Sequence, residues 1–319
     1  MKQKDIIKYL IFALIGVLIV YFIQKNFSFK DFHESIKLAK IQFVLISLLI
    51  GVLAVFIRAL RWQLLLKPMG YETRLSNAYH ATMSGYLVNL GIPRSGEVYR
   101  CAVFSKSDNV PVNVLVGTVL SERILDLLML MLVLIGSVWL QFDLLYDYIN
   151  VNVISKLQDN KLALGIVVLV LLAGLVVVFK AKTIFNAKTK IGKVFLGFFE
   201  GIKSIFTLQQ PILFILYTIG IWVCYWLMTY TILLAFDFTA FLGPSGGLST
   251  LVFSTLGVIV PAPAGSATIF SIYFGLNQIY HIPVQQAQSL AVVMFSSNII
   301  MIILSGTLSY LVMAKRTKA

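Results

Sequence analysis

Residues 238–314 read FTAFLGPSGGLSTLVFSTLGVIVPAPAGSATIFSIYFGLNQIYHIPVQQAQSLAVVMFSSNIIMIILSGTLSYLVMA, a run of 77 residues without Asp, Glu, Lys or Arg. So long an apolar stretch is incompatible with a loop in water, and it requires a membrane or a protein-buried environment. The whole chain has the same character. Of its 319 residues, 59% are hydrophobic and 12% are charged, against about 45–50% and about 25% in soluble domains. The composition therefore predicts a membrane protein and excludes a water-soluble globule or a disordered chain.

Six apolar runs are long enough to cross a bilayer as helices, because about 20 helical residues span a hydrocarbon core of about 30 Å. They are Ile6–Ile23, Ile41–Leu66, Val112–Leu140, Leu162–Phe179, Pro211–Phe236 and, approximately, Val284–Met313. The sequence thus predicts an all-α polytopic membrane protein, with residues 1–319 forming a single integral-membrane domain of about six full transmembrane helices.

Two further apolar stretches, about 75–106 and about 244–283, are interrupted near their middles by proline and glycine. Their arms have about 13 to 18 residues, which is too short to span, and this favours re-entrant or short helical hairpins. The predicted turn residues are Asn89, Gly91, Pro93 and Gly96 in the first hairpin and Pro261, Pro263 and Gly265 in the second. Two pairs of ordinary kinked, short helices are the alternative.

The distribution of basic residues predicts the orientation. The segment Lys180–Lys203 is rich in lysine, whereas the loop Gln141–Lys161 has more acidic than basic residues. Cytoplasmic loops carry the excess of Lys and Arg, so both termini are expected in the cytoplasm and the two hairpins are expected to open on opposite sides. Residues 184–207 have the apolar spacing of an amphipathic interfacial helix. The net charge of +13 is explained by such loops, so no nucleic-acid partner is expected.

Charged residues inside the apolar spans are the candidates for function, because a charge facing hydrocarbon is costly. In the third span, Glu122 and Asp126 are four residues apart and share a helix face, which is repulsive. Arg123 can pair with Asp126 but lies off Glu122, so Glu122 needs a cation from elsewhere. Arginine is the side chain best suited to clamp a phosphate or carboxylate with two hydrogen bonds. The predicted head-group site comprises Arg58, Arg61, Arg94, Glu97, Arg100, Glu122, Arg123 and Asp126.

Two other interpretations of these charges remain open. Arg58, Arg61 and Trp62 have the composition of an interfacial anchor, and the acidic cluster of the third span could form a purely structural ion-pair network. The two cysteines and three histidines are scattered along the chain, so neither a metal site nor another cofactor is predicted.

Three motifs in order resemble the lysylphosphatidylglycerol synthase transmembrane, or flippase-like, domain family. They are the string from Gly85 to Arg100, the string Glu122-Arg-Ile-Leu-Asp126, and the late turn Pro261-x-Pro263-x-Gly265. The resemblance implies a membrane domain that accompanies or performs translocation of aminoacylated phosphatidylglycerol. In two-part members a soluble carboxyl-terminal domain makes this lipid from aminoacyl-tRNA. No such domain follows Met313 in this sequence, so synthase activity is not expected.

The function predicted from these features is that of a flippase-like or scramblase-like protein of the bacterial inner membrane. Its ligand would be an anionic phospholipid, an aminoacylated lipid or a polyprenyl phosphate, and the expected protein partner is a separate synthase or another membrane protein. The sequence contains no GxxxxGK[ST] phosphate loop, so ATP drive is not encoded in it. The alternatives are an integral-membrane transferase that uses one of the carboxylates as a base, and an accessory scaffold subunit.

Overall fold

A computed structural model describes residues 29–92, 95–149, 208–259 and 266–317. Within these ranges all regular elements are helical. The α-helices are α1 Phe29–Leu38, α2 Ile41–Leu66, α3 Leu75–Gly91, α4 Gly96–Asp108, α5 Val112–Leu140, α6 Phe142–Ile149, α7 Pro211–Leu234, α8 Asp237–Ala240, α9 Gly243–Ile259, α10 Ser266–Tyr280 and α11 Val284–Arg316. The prediction of an all-α membrane protein is confirmed.

Four of the described helices are long and apolar enough to cross a bilayer, namely α2 with the short 3₁₀ turn that follows it, α5, α7 and α11. Proline marks the start of three of them, at Pro111, Pro211 and Pro283, where its missing N–H leaves no helical hydrogen bond unmade. These four helices match four of the six predicted spans. The predicted spans Ile6–Ile23 and Leu162–Phe179 and the interfacial helix 184–207 lie outside the described residues.

Buried apolar clusters mark the two ends of the helix bundle. At one end, Trp62, Phe104, Leu115, Phe214 and Met313 pack together, and we call it the Met313 end. At the opposite end, the beginning of α2 packs with the end of α7 and the beginning of α11. That cluster includes Val44, Ile232, Leu233, Ala287 and Leu290, and we call it the Val44 end. Helices α2 and α11 run from the Val44 end to the Met313 end. Helices α5 and α7 begin at the Met313 end, with Leu115 and Phe214, so they run in the opposite direction.

The first predicted hairpin is formed by α3 and α4, which have 17 and 13 residues and are about 25 and 20 Å long. It opens at the Met313 end. There Arg316, in the last turn of α11, donates to Ser76 at the start of α3. Asp108, the last residue of α4, accepts hydrogen bonds from the Arg74 N–H and from Asn77. Both arms are shorter than a span, as predicted.

The second predicted hairpin is formed by α9 and α10, which have 17 and 15 residues. It opens at the Val44 end. The Tyr280 hydroxyl at the end of α10 donates to Gln141, which follows α5, and Trp226 of α7 donates to the Pro244 carbonyl at 2.9 Å. The hairpins therefore open at opposite ends of the bundle. The turn residues Pro93, Pro261, Pro263 and Gly265 lie outside the described residues.

Candidate functional site

Two arginines of α2 point into the bundle. Arg58 and Arg61 are three residues apart, so they project from one side of the helix, and their exposed fractions are 4% and 0%. The sequence-based interpretation of Arg58, Arg61 and Trp62 as an interfacial anchor does not describe this arrangement, because Trp62 is also fully buried. Burial of two guanidinium groups requires acceptors nearby.

The acceptors are the two carboxylates of α5. Arg58 donates to Asp126 at 3.2 Å. Arg61 donates to Asp126 at 3.1 Å and to Glu122 at 3.3 Å. Glu122 is fully buried, whereas the Asp126 side chain is 13% exposed. Since Glu122 and Asp126 lie one helical turn apart, Arg61 can bridge them and offset their mutual repulsion.

A third arginine reaches this pair from the first hairpin. Arg100 of α4 is buried and donates to the second oxygen of Glu122. Its guanidinium carbon also lies 4.6 Å from the centre of the Trp62 ring, within the range of a cation–π interaction. Arg100 thus joins the hairpin to α2 and α5. Glu122 is paired with cations from other helices, as its position in an apolar span predicted.

Local structure at the hairpin tip positions α4. Asn89 and Gly91 were predicted as turn residues, but both lie in the last turn of α3, and Gly96 begins α4. The Asn89 side chain accepts a 2.6 Å hydrogen bond from the Gly96 N–H, which satisfies a free donor at the start of α4. A Cβ atom on Gly85 would lie 2.7 Å from the Gly96 carbonyl oxygen, so the two arms touch backbone to backbone here.

The accessible edge of the cluster is formed by Glu97 and Arg123. The Arg123 Nε lies 2.5 Å from a Glu97 oxygen, and Arg123 Nη1 lies 3.6 Å from Asp126. The Arg123 and Glu97 side chains are 45% and 37% exposed. The cluster is therefore buried on the α2 side and accessible at Arg123.

Three neutral hydrogen-bond partners of the cluster were not predicted from the sequence. Tyr225 of α7 accepts from Arg58 at 3.0 Å, and Thr218 accepts from Arg61 at 3.3 Å. Thr118 of α5 accepts from the Trp62 indole N–H at 2.9 Å. The spacing of seven between Thr218 and Tyr225, which puts both on one face of α7, was the available signal.

We call the assembled side chains the arginine network. It comprises Arg58, Arg61, Glu97, Arg100, Glu122, Arg123 and Asp126. Arg94, the remaining predicted member, lies outside the described residues. The structure thus brings together seven of the eight predicted side chains, from three separate segments of the chain.

The buried part of the network has a surplus of positive charge. Three guanidinium groups, those of Arg58, Arg61 and Arg100, face two carboxylates, those of Glu122 and Asp126. Within the described residues, the Nε atom of each of these three arginines is buried without a hydrogen-bond partner. The buried part of the network thus has one more positive than negative charge and three N–H donors that no described residue accepts. No group of three or more His, Cys, Asp or Glu side chains in the described ranges is placed to hold a metal ion.

Comparison with known proteins identifies one relative of part of the chain and one matching family. The UPF0104 membrane protein MJ1595 of Methanocaldococcus jannaschii is 27% identical over 88 residues, which cover 27% of this chain and 26% of that protein. The match thus spans about a quarter of that relative. No solved structure matches the chain significantly. The family described as Lysylphosphatidylglycerol synthase TM region matches residues 6–306. The chain is therefore a membrane protein that belongs to the Lysylphosphatidylglycerol synthase TM region family.

Proposed function

We propose that this protein binds the phosphate-bearing head group of an anionic lipid at the arginine network and moves that lipid between leaflets. The observation that carries the proposal is the buried surplus of guanidinium charge between α2, α4 and α5, with an accessible edge at Arg123. A charged group within a membrane span is costly and commonly marks a substrate path. The three buried arginines therefore call for a functional or a structural reason.

The accessible edge supports binding of an anion. Arg123 is held by Glu97, a partly exposed carboxylate, and exposed ion pairs contribute only about 0–1 kcal/mol. A lipid phosphate can replace Glu97 on Arg123 at little cost, because it presents two oxygens to the planar guanidinium. The displaced Glu97 carboxylate is then available to an amine on the same head group.

The two hairpins support movement as well as binding. They open at opposite ends of the bundle, a pattern found where transporters build a site from broken helices in opposed orientation. Arg100 ties the first hairpin to the network through Glu122. An anion that competes for Arg100 would loosen this hairpin from α5, which couples occupancy of the site to a change of access.

We place the protein in the inner membrane with the Met313 end in the cytoplasm. Lys315 and Arg316 end α11 at this end, in agreement with the excess of basic residues on cytoplasmic sides. The head group would enter from the cytoplasmic leaflet. The lipid class proposed is an anionic phospholipid, its aminoacylated form or a polyprenyl phosphate, supplied by a separate synthase.

Reconstitution in liposomes tests the proposal. Purified protein should move fluorescent phosphatidylglycerol across the bilayer. The movement is measured as the fraction of fluorescence lost when the label in the outer leaflet is chemically reduced. Arg123→Gln should slow this movement roughly three- to tenfold. Lys106→Gln is the matched control, because Lys106 is exposed on the same hairpin and, within the described residues, it forms no ion pair with the network.

A purely structural role of the arginine network predicts different results in this assay. If no anionic lipid is moved, or if Arg123→Gln and Lys106→Gln behave like the unchanged protein, the proposed function is wrong. The network would then act only as an ion-pair clamp between helices.

A further inference from the structure

A second concave surface lies on the face of α2 that points away from the arginine network. A cavity of about 610 Å³ is lined by Leu49, Val52, Leu53 and Phe56 of α2 and by Leu75, Ser76, Tyr79 and His80 of α3. We call it the α2–α3 groove. Arg58 follows Leu49 by nine residues, which is about 180° around an α-helix. The groove is therefore separate from the network.

The walls of the groove suit hydrocarbon. Leu49, Leu53 and Phe56 form one stripe of α2 and remain 71%, 49% and 41% exposed. The volume lies within the range of about 300–1,000 Å³ typical of small-molecule sites. In a membrane, an apolar cleft of this size is filled by a lipid chain.

The polar mouth of the groove carries positive charge. Ser76, at the Met313 end of the groove, accepts a 3.1 Å hydrogen bond from Arg316. Arg316 also donates a hydrogen bond to the neutral side-chain oxygen of Asn77. The neighbouring carboxylate, Asp108, is engaged by Asn77 and by the Arg74 N–H. Within the described ranges, no ion pair joins Arg316 to a carboxylate, so its charge is available at the mouth, and Lys315 precedes it in the last turn of α11.

We infer that the α2–α3 groove is a binding site for one anionic phospholipid, distinct from the lipid handled at the network. Its acyl chain lies along Leu49, Leu53 and Phe56, and its phosphate accepts hydrogen bonds from Arg316 and Ser76. Arginine forms charge-assisted bonds to phosphate, and a second cation at Lys315 favours a lipid with net negative charge over a zwitterionic one.

Quenching by brominated lipids tests this site locally. The full chain carrying Phe56→Trp is reconstituted in phosphatidylcholine vesicles that contain acyl-brominated phosphatidylglycerol or acyl-brominated phosphatidylcholine, and the emission of the unsubstituted chain is subtracted. Phe56 is 41% exposed, so the larger side chain should be tolerated. The introduced tryptophan should show about fivefold preference for phosphatidylglycerol. Arg316→Gln should abolish that preference.

Two matched variants separate this site from general lipid contact. Leu216→Trp reports from an exposed position on α7 and should show no preference. Lys37→Gln removes one exposed positive charge at α1 and should leave the preference of the groove reporter unchanged. The inference is overturned by equal quenching with the two lipids, or by a preference that survives Arg316→Gln. It is also overturned if the groove reporter is not quenched, which would show that protein covers the groove. These readouts do not depend on lipid movement, so they can succeed or fail independently of the proposed function.

Discussion

Replacement of Glu122 by glutamine is expected to destabilise the protein strongly. Glu122 is fully buried and accepts from Arg61 at 3.3 Å and from Arg100. The Glu122→Gln side chain keeps the volume but removes the negative charge, so three buried guanidinium groups then face Asp126 alone. Removal of one partner from a buried ion pair costs about 3–5 kcal/mol, because the remaining charge stays buried without compensation.

Thermal unfolding of the purified protein in detergent measures this effect. The midpoint of Glu122→Gln should fall by roughly 10 °C, from about 4 kcal/mol at about 2–4 °C per kcal/mol. Glu97→Gln is the matched control, because Glu97 also pairs with an arginine but is 37% exposed. Its midpoint should change by less than about 3 °C, since exposed pairs contribute about 0–1 kcal/mol.

A double variant separates the charge imbalance from loss of packing. Glu122→Gln combined with Arg100→Gln removes one charge of each sign, so its loss of stability should be smaller than the sum of the two single losses by about 1 kcal/mol or more. If Glu122→Gln unfolds within about 3 °C of the unchanged protein, or if the two losses simply add, the assignment of a tightly coupled buried network is refuted.

Three further substitutions probe how the network is supported. Gly85→Ala places a methyl group 2.7 Å from the Gly96 carbonyl oxygen, so it should push the arms of the first hairpin apart and lower both the unfolding midpoint and lipid movement in vesicles. Asn89→Ala removes the acceptor for the Gly96 N–H and should cost about 1 kcal/mol in thermal unfolding; an unchanged midpoint would contradict the role of this cap. Thr118→Val leaves the buried Trp62 indole N–H without its acceptor and should cost about 1–3 kcal/mol, measured by the same assay with Thr118→Ser as the conservative control.

The helices and hairpins were predictable from local pattern. The predicted span Ile41–Leu66 agrees with α2 residue for residue, and Val112–Leu140 agrees with α5. For the four predicted spans that the structure describes, differences are confined to the ends, as where α11 continues to Arg316 beyond the predicted Met313. Backbone groups in hydrocarbon must be satisfied within the segment, so a long apolar run has only the helix available to it.

The site was predictable by type of residue but not by partner. Glu122 was expected to need an external cation, yet the choice of Arg61 and Arg100 depends on how α2 and α4 pack against α5. The contribution of Tyr225 was not expected, because a tyrosine in an apolar span has the same sequence pattern whether it faces lipid or an arginine.

By itself, the sequence determined that the chain enters a membrane as helices, that two apolar stretches form pairs of short helices, and which charged side chains need a partner of opposite charge. Those outcomes follow from hydrophobicity, helix length and the cost of burying a charge, which act on each segment separately. Only the tertiary structure decided that Arg58, Arg61 and Arg100 meet around two carboxylates, that Arg123 stays accessible, and that an apolar groove forms on the other face of α2. These depend on the rotation and crossing of helices, which are set by contacts such as Gly85 against Gly96 between residues on different segments.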